Sequence, residues 1–264
     1  MKRKFSETRD VVEKISMDFI LCYFPNYAKF WENFIGINKK PNIDLGPYGL
    51  KNKDKIPIEK FNEILSSYNN VNQYHYSLLM NLYFAFLYYQ KLQTLTFDVN
   101  PGKYIWSDYL EYRKACQTFY LFIGTARDMF GRVVNETMQK KMPKSGTPGS
   151  ALTNFDEYLS KTKPGFELNF SRWKEKMSEL RTRIMHYGSL GGIIMPNAFI
   201  VPEKLQKDAH WLDDIKGAKE CGIDERAYIN GVFKETVRLI NLSYRILIKE
   251  YKDFLKTSGV KIDY

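Results

Sequence analysis

The 264-residue sequence has only three cysteines, which lie far apart and form no CxxC pair. Isolated cysteines in an odd number argue against a disulfide framework and against a cysteine-ligated zinc site, and they are typical of a reducing compartment. The N-terminal residues are charged, and the apolar run after them is interrupted by Asp18 without a cleavage-site pattern, so no signal peptide is predicted. The sequence therefore predicts a cytoplasmic protein.

Long apolar runs and the common catalytic motifs are also missing. The most apolar stretch, residues 78–89, is too short to span a bilayer and contains Asn81, so no membrane segment is expected. There is no GxxxxGK[ST] loop, no GxGxxG turn, no GxSxG elbow and no HExxH pair. None of the three histidines has another histidine at ligand spacing, so we expect neither a metal site nor a bound cofactor.

What the sequence has is positive charge and many aromatic residues. Forty Lys and Arg residues against thirty Asp and Glu residues give a formal net charge of +10 and an isoelectric point near 9.2. A basic chain is suited to binding a polyanion, because neutralising phosphates releases counterions. A basic solvated surface would give the same composition, so the charge permits a nucleic-acid partner without demonstrating one.

Helical periodicity dominates the chain, and no sustained alternation of apolar and polar residues predicts a sheet. We therefore expect an all-α helical bundle with one short strand or extended segment at 193–201. The helix predicted at 73–96 is apolar almost all round and is expected to be packed on most of its faces. Between the helices, Gly and Pro residues predict a loop at 36–57 and a mobile basic loop at 139–165 that contains one short helical piece. The predicted helices cover about 6–35 (broken at Pro25), a stretch from Ile58, 73–96, 107–138, 155–159, 170–187 and 224–257.

The helix at 170–187 is the most informative, because its apolar residues form one stripe at spacings of three and four. With Ile184 at zero on a helical wheel, Arg181 lies about 60° away and His186 about 160° away. His186 is thus expected to face away from the core of its own bundle. The apolar stripe consists of Phe170, Trp173, Met177, Leu180, Ile184 and Tyr187.

A histidine that titrates near neutrality, next to an arginine, suits metal-free cleavage of RNA. The ribose 2′-hydroxyl must lose a proton to attack the neighbouring phosphate, and the 5′-leaving oxygen must gain one; a histidine can serve one of these steps. A guanidinium can bind phosphate oxygens and stabilise the charge of the pentacoordinate transition state. Arg181 and His186 have the residue types for these two roles.

The segment Arg181-x4-His186 at the end of a helix resembles the Rx4–6H motif of HEPN domains, which occur in prokaryotic toxins, CRISPR effectors and antiviral systems. The resemblance implies a HEPN-like bundle over residues 71–264, with residues 1–70 as an added N-terminal helical extension. It also implies a metal-independent RNA endonuclease whose composite site forms where two motifs meet in a homodimer. A toxin–antitoxin or defence setting, with an antitoxin or a regulatory protein as a further partner, follows from the same resemblance.

The remaining candidate residues are assigned around this motif. Thr182 stands where the family often has Asn or Asp, and it is expected to hydrogen-bond His186; Arg183 is expected to contact phosphate or to lower the pKa of the histidine. The loop lysines are candidate RNA-binding residues: Lys140, Lys141 and Lys144.

Other interpretations remain open beside the RNase. His75 is interpreted as structural, and His210, which stands beside Asp213 and Asp214, as a surface residue. The aromatic clusters at 83–89 and 119–122 are expected to belong to the core. The alternative function is a non-catalytic bundle of the same fold that binds RNA or a protein partner, and a purely structural oligomerisation module is a third possibility.

Overall fold

The structure, a computed structural model, describes residues 25–26, 58–95, 106–187, 193–195, 198–200 and 224–257. Almost all of them are helical, which confirms the all-α class. Apart from residues 25–26, the predicted helices at 6–35 lie outside the described residues, as do the predicted loop at 36–57 and most of the expected N-terminal extension. In chain order the described elements are α1 (Ile58–Thr94), α2 (Trp106–Thr137), α3 (Pro148–Thr162), α4 (Pro164–Tyr187), β1 (Ile193–Met195), β2 (Ala198–Ile200) and α5 (Glu225–Thr257).

Helix α1 is one continuous helix of 37 residues, whereas the sequence predicted two separate stretches. No Gly or Pro interrupts the segment from Ile58 to Thr94, so every backbone amide in its interior can join the hydrogen-bond ladder. Most side chains of its apolar part, residues 78–89, are buried or half-buried, as expected, but Phe84 and Leu87 are exposed. Among the side chains of this helix that the structure describes, one stripe is deeply buried: Ser67, Val71, His75, Leu78, Leu82, Ala85 and Leu92.

The segment between α2 and α4 differs from the predicted loop. Helix α3 occupies fifteen of its residues, so the irregular part shrinks to the few residues between Thr137 and Pro148. The helix begins where Thr147 accepts a hydrogen bond from the Ser150 amide (3.1 Å) and Pro148 takes the first helical position. The loop before it is tied to α2, because the Asn135 side chain accepts from the Ser145 amide (2.8 Å) and donates to its carbonyl (3.2 Å).

The predicted helices at 170–187 and 224–257 are both confirmed. Helix α4 covers the predicted 170–187 but begins earlier, at Pro164, again with a proline in the first helical position. Helix α5 covers 33 residues within the predicted bounds. The short strand predicted at 193–201 is a hairpin in which β1 and β2 pair antiparallel, with Ile194 opposite Phe199. Seven apolar residues of α5 at helical spacing are buried: Ile229, Phe233, Ile240, Tyr244, Leu247, Tyr251 and Phe254.

The chain divides into two compact units, and α1, α2, α3 and α5 each contribute residues to both. The first unit comprises residues 1–79, 129–158 and 237–264. Its core contains aromatic rings packed edge to face: Phe130 lies 6.5 Å from Phe155 and 6.3 Å from Tyr244 between ring centroids. Helices α2 and α3 approach closely here, at Gly131 and Pro148.

The second unit comprises residues 80–128 and 159–236 and contains the candidate motif. Its core is built around Trp173, which is fully buried and donates a hydrogen bond through Nε1 to Oγ1 of Thr236 at 3.0 Å. The Phe233 ring stacks on Tyr89, with 5.1 Å between the centroids and 8° between the planes. These contacts join α1, α4 and α5, and they fix which face of α4 is left at the surface.

Candidate functional site

The site is built on the last turns of α4. The apolar stripe of this helix is buried as predicted at Phe170, Trp173, Met177 and Leu180. Arg181 follows the last of these residues on the flank of the stripe, and its side chain is 51% exposed. The packing of α4 therefore presents the motif arginine to solvent.

An acidic residue of α2 holds the exposed arginine. Nη1 of Arg181 lies 2.8 Å from Oδ2 of Asp128, whose side chain is mostly buried. The aliphatic stem of Arg181 packs over Gly124, which belongs to α2 like Asp128. A Cβ added at Gly124 would lie 3.7 Å from Cγ of Arg181. The ion pair and the stem contact together orient Arg181 against α2.

Asp128 is itself fixed by a second, buried arginine. Arg127 donates from Nη1 to Oδ1 of Asp128 (3.0 Å) and from Nη2 to Oγ of Ser178 on α4 (2.8 Å). Burial holds the pKa of the Arg127 guanidinium below its usual range, although Asp128 opposes that shift. The result is a polar chain of four side chains that links α2 and α4 beside the motif.

Sequence reasoning missed both Asp128 and Arg127. On a helical wheel of α2 they are two ordinary charged residues in an amphipathic helix, and nothing in one sequence indicates which helix they face. Only the packing of α4 on α2 brings them to Arg181. The pair of opposite charges at adjacent positions was the one available signal, and it is too common to be specific.

The two residues expected to assist are engaged elsewhere on α4. The hydroxyl of Thr182 donates to the Ser178 carbonyl at 3.0 Å, one turn earlier. Arg183 donates from Nε and Nη2 to the same Glu179 oxygen, both at 3.2 Å. Burial alone would raise the pKa of Glu179, but hydrogen bonds and charge from Lys176 and Arg183 hold that pKa below its usual value. A role of Thr182 or Arg183 in catalysis stays a prediction.

His186 belongs to the last turn of α4, which ends at Tyr187. Its side chain lies outside the described residues, and so does all of His210. The predicted outward orientation of His186 therefore stays a prediction. In an α-helix, positions five apart are separated by about 140° around the axis and by about 7.5 Å along it.

A shallow surface pocket lies beside the motif arginine. It combines apolar walls with a hydroxyl and a guanidinium, so it could take a group that has both a flat apolar part and a charge. The pocket is lined by Tyr120, Leu121, Gly124, Thr125, Arg181 and Ile184.

The three candidate lysines of the loop before α3 are exposed but have protein partners. Nζ of Lys140 donates to the Thr257 hydroxyl. Lys141 lies 3.7 Å from a buried Glu250 oxygen, and Lys144 lies 4.0 Å from Glu136. The loop is thus less free than a mobile linker, and its contribution to RNA binding stays a prediction.

A second cluster of ionisable groups lies inside the same unit, around Glu225. Its carboxylate is almost fully buried and lies 3.3 Å from Nη1 of Arg113. Burial raises the pKa of Glu225 in spite of this arginine, and burial raises the pKa of the Cys116 thiol well above its usual value. Because a protonated, buried thiol is unreactive, this cluster is structural.

His75 has the structural environment that the sequence predicted. It is fully buried, and its Nδ1 lies 3.0 Å from the hydroxyl of Tyr244. Burial lowers its pKa to about 3, so the ring is neutral in the folded protein at physiological pH. A base that cannot take a proton near neutrality is unsuited to general acid–base catalysis.

Apolar side chains are exposed near the candidate site as well. Leu121, which lines the pocket, is 50% exposed, and Phe84 of α1 packs its partly exposed ring 5.1 Å from Phe122. The expectation that the aromatic clusters are core is thus correct for Phe119 and Tyr120 but wrong for Phe84.

Within the part of the chain that the structure describes, no group of three or more His, Cys, Asp or Glu side chains could hold a metal ion. None of the described helices is long and apolar enough to cross a membrane. A comparison with protein-family models finds no match, and comparisons with curated proteins and with solved structures find none either.

Proposed function

We propose that the protein is a metal-independent RNA endonuclease of the HEPN type, with its site at the C-terminal end of α4. The observation that carries this proposal is the half-exposed side chain of Arg181, whose guanidinium is held at one edge by Asp128, five positions before His186 on the same helix. An exposed arginine that is already oriented is suited to binding a phosphodiester, because its planar fork of N–H donors matches two phosphate oxygens.

The proposed chemistry divides between the two motif residues. Arg181 stabilises the negative charge that develops on the phosphate oxygens in the transition state. His186 acts as the general acid or base for the 2′-hydroxyl or for the 5′-leaving oxygen. The bond from the 2′-oxygen to phosphorus forms as the bond to the 5′-oxygen breaks, which leaves a 2′,3′-cyclic phosphate.

The spacing of the motif favours a site made by two copies of the chain. Positions 181 and 186 lie about 140° apart around the axis of α4, so one copy presents them on different flanks of the helix. A two-fold axis near the helix end would bring the arginine of one copy close to the histidine of the other. The homodimer is therefore part of the proposal.

The test is cleavage of a labelled single-stranded RNA in the presence of EDTA, with the 3′-ends of the products identified. We expect 2′,3′-cyclic phosphate ends, a loss of rate of about two to four orders of magnitude in His186→Ala, and a similar loss in Arg181→Ala. Arg172→Ala, which removes an exposed arginine from the same helix, is the matched control and should keep the wild-type rate. Equal losses in the two arginine variants would indicate a general charge effect and would count against the site.

The alternative, a non-catalytic bundle that binds a protein partner, is favoured by one observation. Exposed apolar side chains on α1 and α2, among them Leu87 and Leu121, offer a surface that a partner could cover. RNA that is bound but never cut, or no RNA binding at all, would favour this alternative. In the proposed toxin–antitoxin or defence setting, such a partner would be an antitoxin or a regulatory protein.

A further inference from the structure

The carboxylate of Asp128 sits between two arginines and gives one oxygen to each. Oδ1 accepts from the buried Arg127 at 3.0 Å, and Oδ2 pairs with Arg181 at 2.8 Å. Arg127 is anchored in turn on the Ser178 hydroxyl, so a rotation of the acid away from Arg181 would also break its hydrogen bond with a fixed Arg127. The carboxylate is held from behind and presents a fixed oxygen to the motif arginine.

Only one edge of the Arg181 guanidinium is used by this contact. The group has five N–H donors, and Nη1 is the nitrogen that lies against Asp128. Among the described residues, Asp128 is the one ion-pair partner of Arg181. The side chain is 51% exposed, so its remaining donors can reach a ligand in solvent. The carboxylate therefore restrains the guanidinium without covering it.

We propose that Asp128 is a positioning residue for Arg181: it holds the guanidinium in the orientation that receives the scissile phosphate, with Arg127 and Ser178 as its support. This inference rests on the proposed RNase function. Two arginines around one carboxylate leave the cluster with a net positive charge, so a phosphate is still attracted to it. A restrained arginine also loses less conformational freedom when it binds than a free surface arginine would lose.

The first arm of the test separates positioning from charge. Asp128→Asn removes the ion pair, and Glu111→Gln is the matched control, because Glu111 also stands on α2 and pairs with a cation of a neighbouring helix, Lys91, at 2.6 Å. Each change removes one negative charge and so raises the net charge by one. Both variants are made in the full chain. We expect kcat for RNA cleavage to fall by about 10- to 100-fold in Asp128→Asn with KM changed by less than about threefold, because misorientation acts on the transition state. Glu111→Gln should match the wild type.

The second arm does not depend on activity. Rotation of the Arg181 guanidinium about its Nε–Cζ bond is measured by ¹⁵N NMR exchange on the wild type and the variants. We expect slow rotation in the wild type and in Glu111→Gln, and faster rotation in Asp128→Asn. Asp128→Glu keeps the charge, so it should restore slow rotation and part of kcat. Asp128→Ser, which also removes the ion pair, is the test if Asp128→Asn does not fold.

The outcomes are distinguishable. A wild-type protein that cuts no RNA would refute the proposed function, and the rotation measurement would still decide whether Asp128 restrains Arg181. Rotation that is equally fast with and without Asp128 would overturn the positioning role. A higher kcat in Asp128→Asn would also overturn it, because the carboxylate would then be competing with the phosphate for the arginine.

Discussion

Arg181 and His75 are ionisable residues on long helices, and their surroundings give them opposite properties. The arginine keeps half of its side chain in solvent and has a carboxylate at one edge. The histidine is fully buried, and its described neighbour at hydrogen-bond distance is the neutral hydroxyl of Tyr244. Because burial penalises the charged form, the pKa of the histidine is lowered and its ring stays neutral.

The buried histidine should make the stability of the protein depend on pH. Folding lowers the pKa of His75 from 6.5 to about 3. Below pH 6.5 the imidazole is therefore protonated in the unfolded chain but stays neutral in the folded chain until the pH approaches 3. This contribution to stability is complete above pH 6.5 and is lost as the pH falls towards 3. Between pH 6.5 and 5 the loss should be about 2 kcal/mol in the free energy of unfolding.

His75→Phe should remove this part of the pH dependence, although it lowers stability at neutral pH by breaking the contact with Tyr244. The measurement is urea unfolding of the wild type and the variant at pH 7 and pH 5, compared as a difference so that the other titrating groups cancel. Tyr244→Phe is the control, because it removes the hydroxyl and keeps the buried imidazole, so the slope should persist. If the free energy of unfolding of His75→Phe changed between pH 7 and pH 5 as much as that of the wild type, the conclusion that His75 is buried and neutral would be contradicted.

Helix α2 contacts its neighbours through two glycines with different tolerances. A Cβ added at Gly131 would lie 2.6 Å from the carbonyl oxygen of Pro148, which belongs to the backbone of α3. A Cβ added at Gly124 would meet only the flexible stem of Arg181, at 3.7 Å or more. The first position requires glycine for the close approach of two helices, whereas the second does not.

Gly131→Ala should therefore destabilise the protein and Gly124→Ala should not. Alanine gains roughly 1 kcal/mol of helix propensity at either site. At Gly131 this gain is outweighed by overpacking that costs about 1–3 kcal/mol, because a backbone carbonyl must move. Thermal melts followed by circular dichroism of both variants test the difference. Equal melting temperatures for the two would show that α2 and α3 are not in this close contact.

The loop before α3 gives a prediction about RNA binding. Changing Lys140, Lys141 and Lys144 together to Gln should weaken RNA binding. The slope of log K against log salt concentration should become shallower by about two to three. The same number of exposed lysines, changed elsewhere to Gln, supplies the control for net charge: Lys114, Lys234 and Lys249. Binding is measured by fluorescence anisotropy over a range of salt concentrations. Equal slopes in the two triple variants would leave the loop without a specific role.

The helices were predicted well where apolar residues recur at helical spacing over many residues. The buried stripe of α5 and the core face of α4 follow from apolar residues at helical spacing, which one sequence displays directly. The start of α3 was missed because Thr147 and Pro148, a capping residue and a first-turn proline, were interpreted only as loop formers. The contact of Asp128 with Arg181 joins residues 53 positions apart in two helices, and helical periodicity carries no information about such pairing.

For the whole molecule, the exposed Phe84, Leu87 and Leu121 lie in the same compact unit as the motif arginine. Leu121 lines the pocket beside Arg181 and is half exposed, so a second surface that covered it would remove further apolar area from water. The proposed composite site requires that a second copy of the chain approach the end of α4. Leu121 is therefore the residue at which association of two copies and cleavage of RNA should be linked.

Leu121→Glu should convert a dimer to a monomer and reduce RNA cleavage per chain, since a charge at a leucine that is buried on association is desolvated without a partner. The fold should survive, because the side chain is already 50% exposed in the single chain. Leu168→Glu is the matched control: Leu168 of α4 is 59% exposed and does not line the pocket beside Arg181, and the change adds the same charge. Light scattering at micromolar concentration should give a dimer for the wild type and for Leu168→Glu, and a monomer for Leu121→Glu.

The rate of RNA cleavage per chain should also fall on dilution of the wild type, because a site shared by two copies disappears when they separate. A wild-type protein that is monomeric at micromolar concentration and cuts RNA at a rate independent of dilution would exclude the composite site, and the Arg181 and His186 of one chain would then have to act alone.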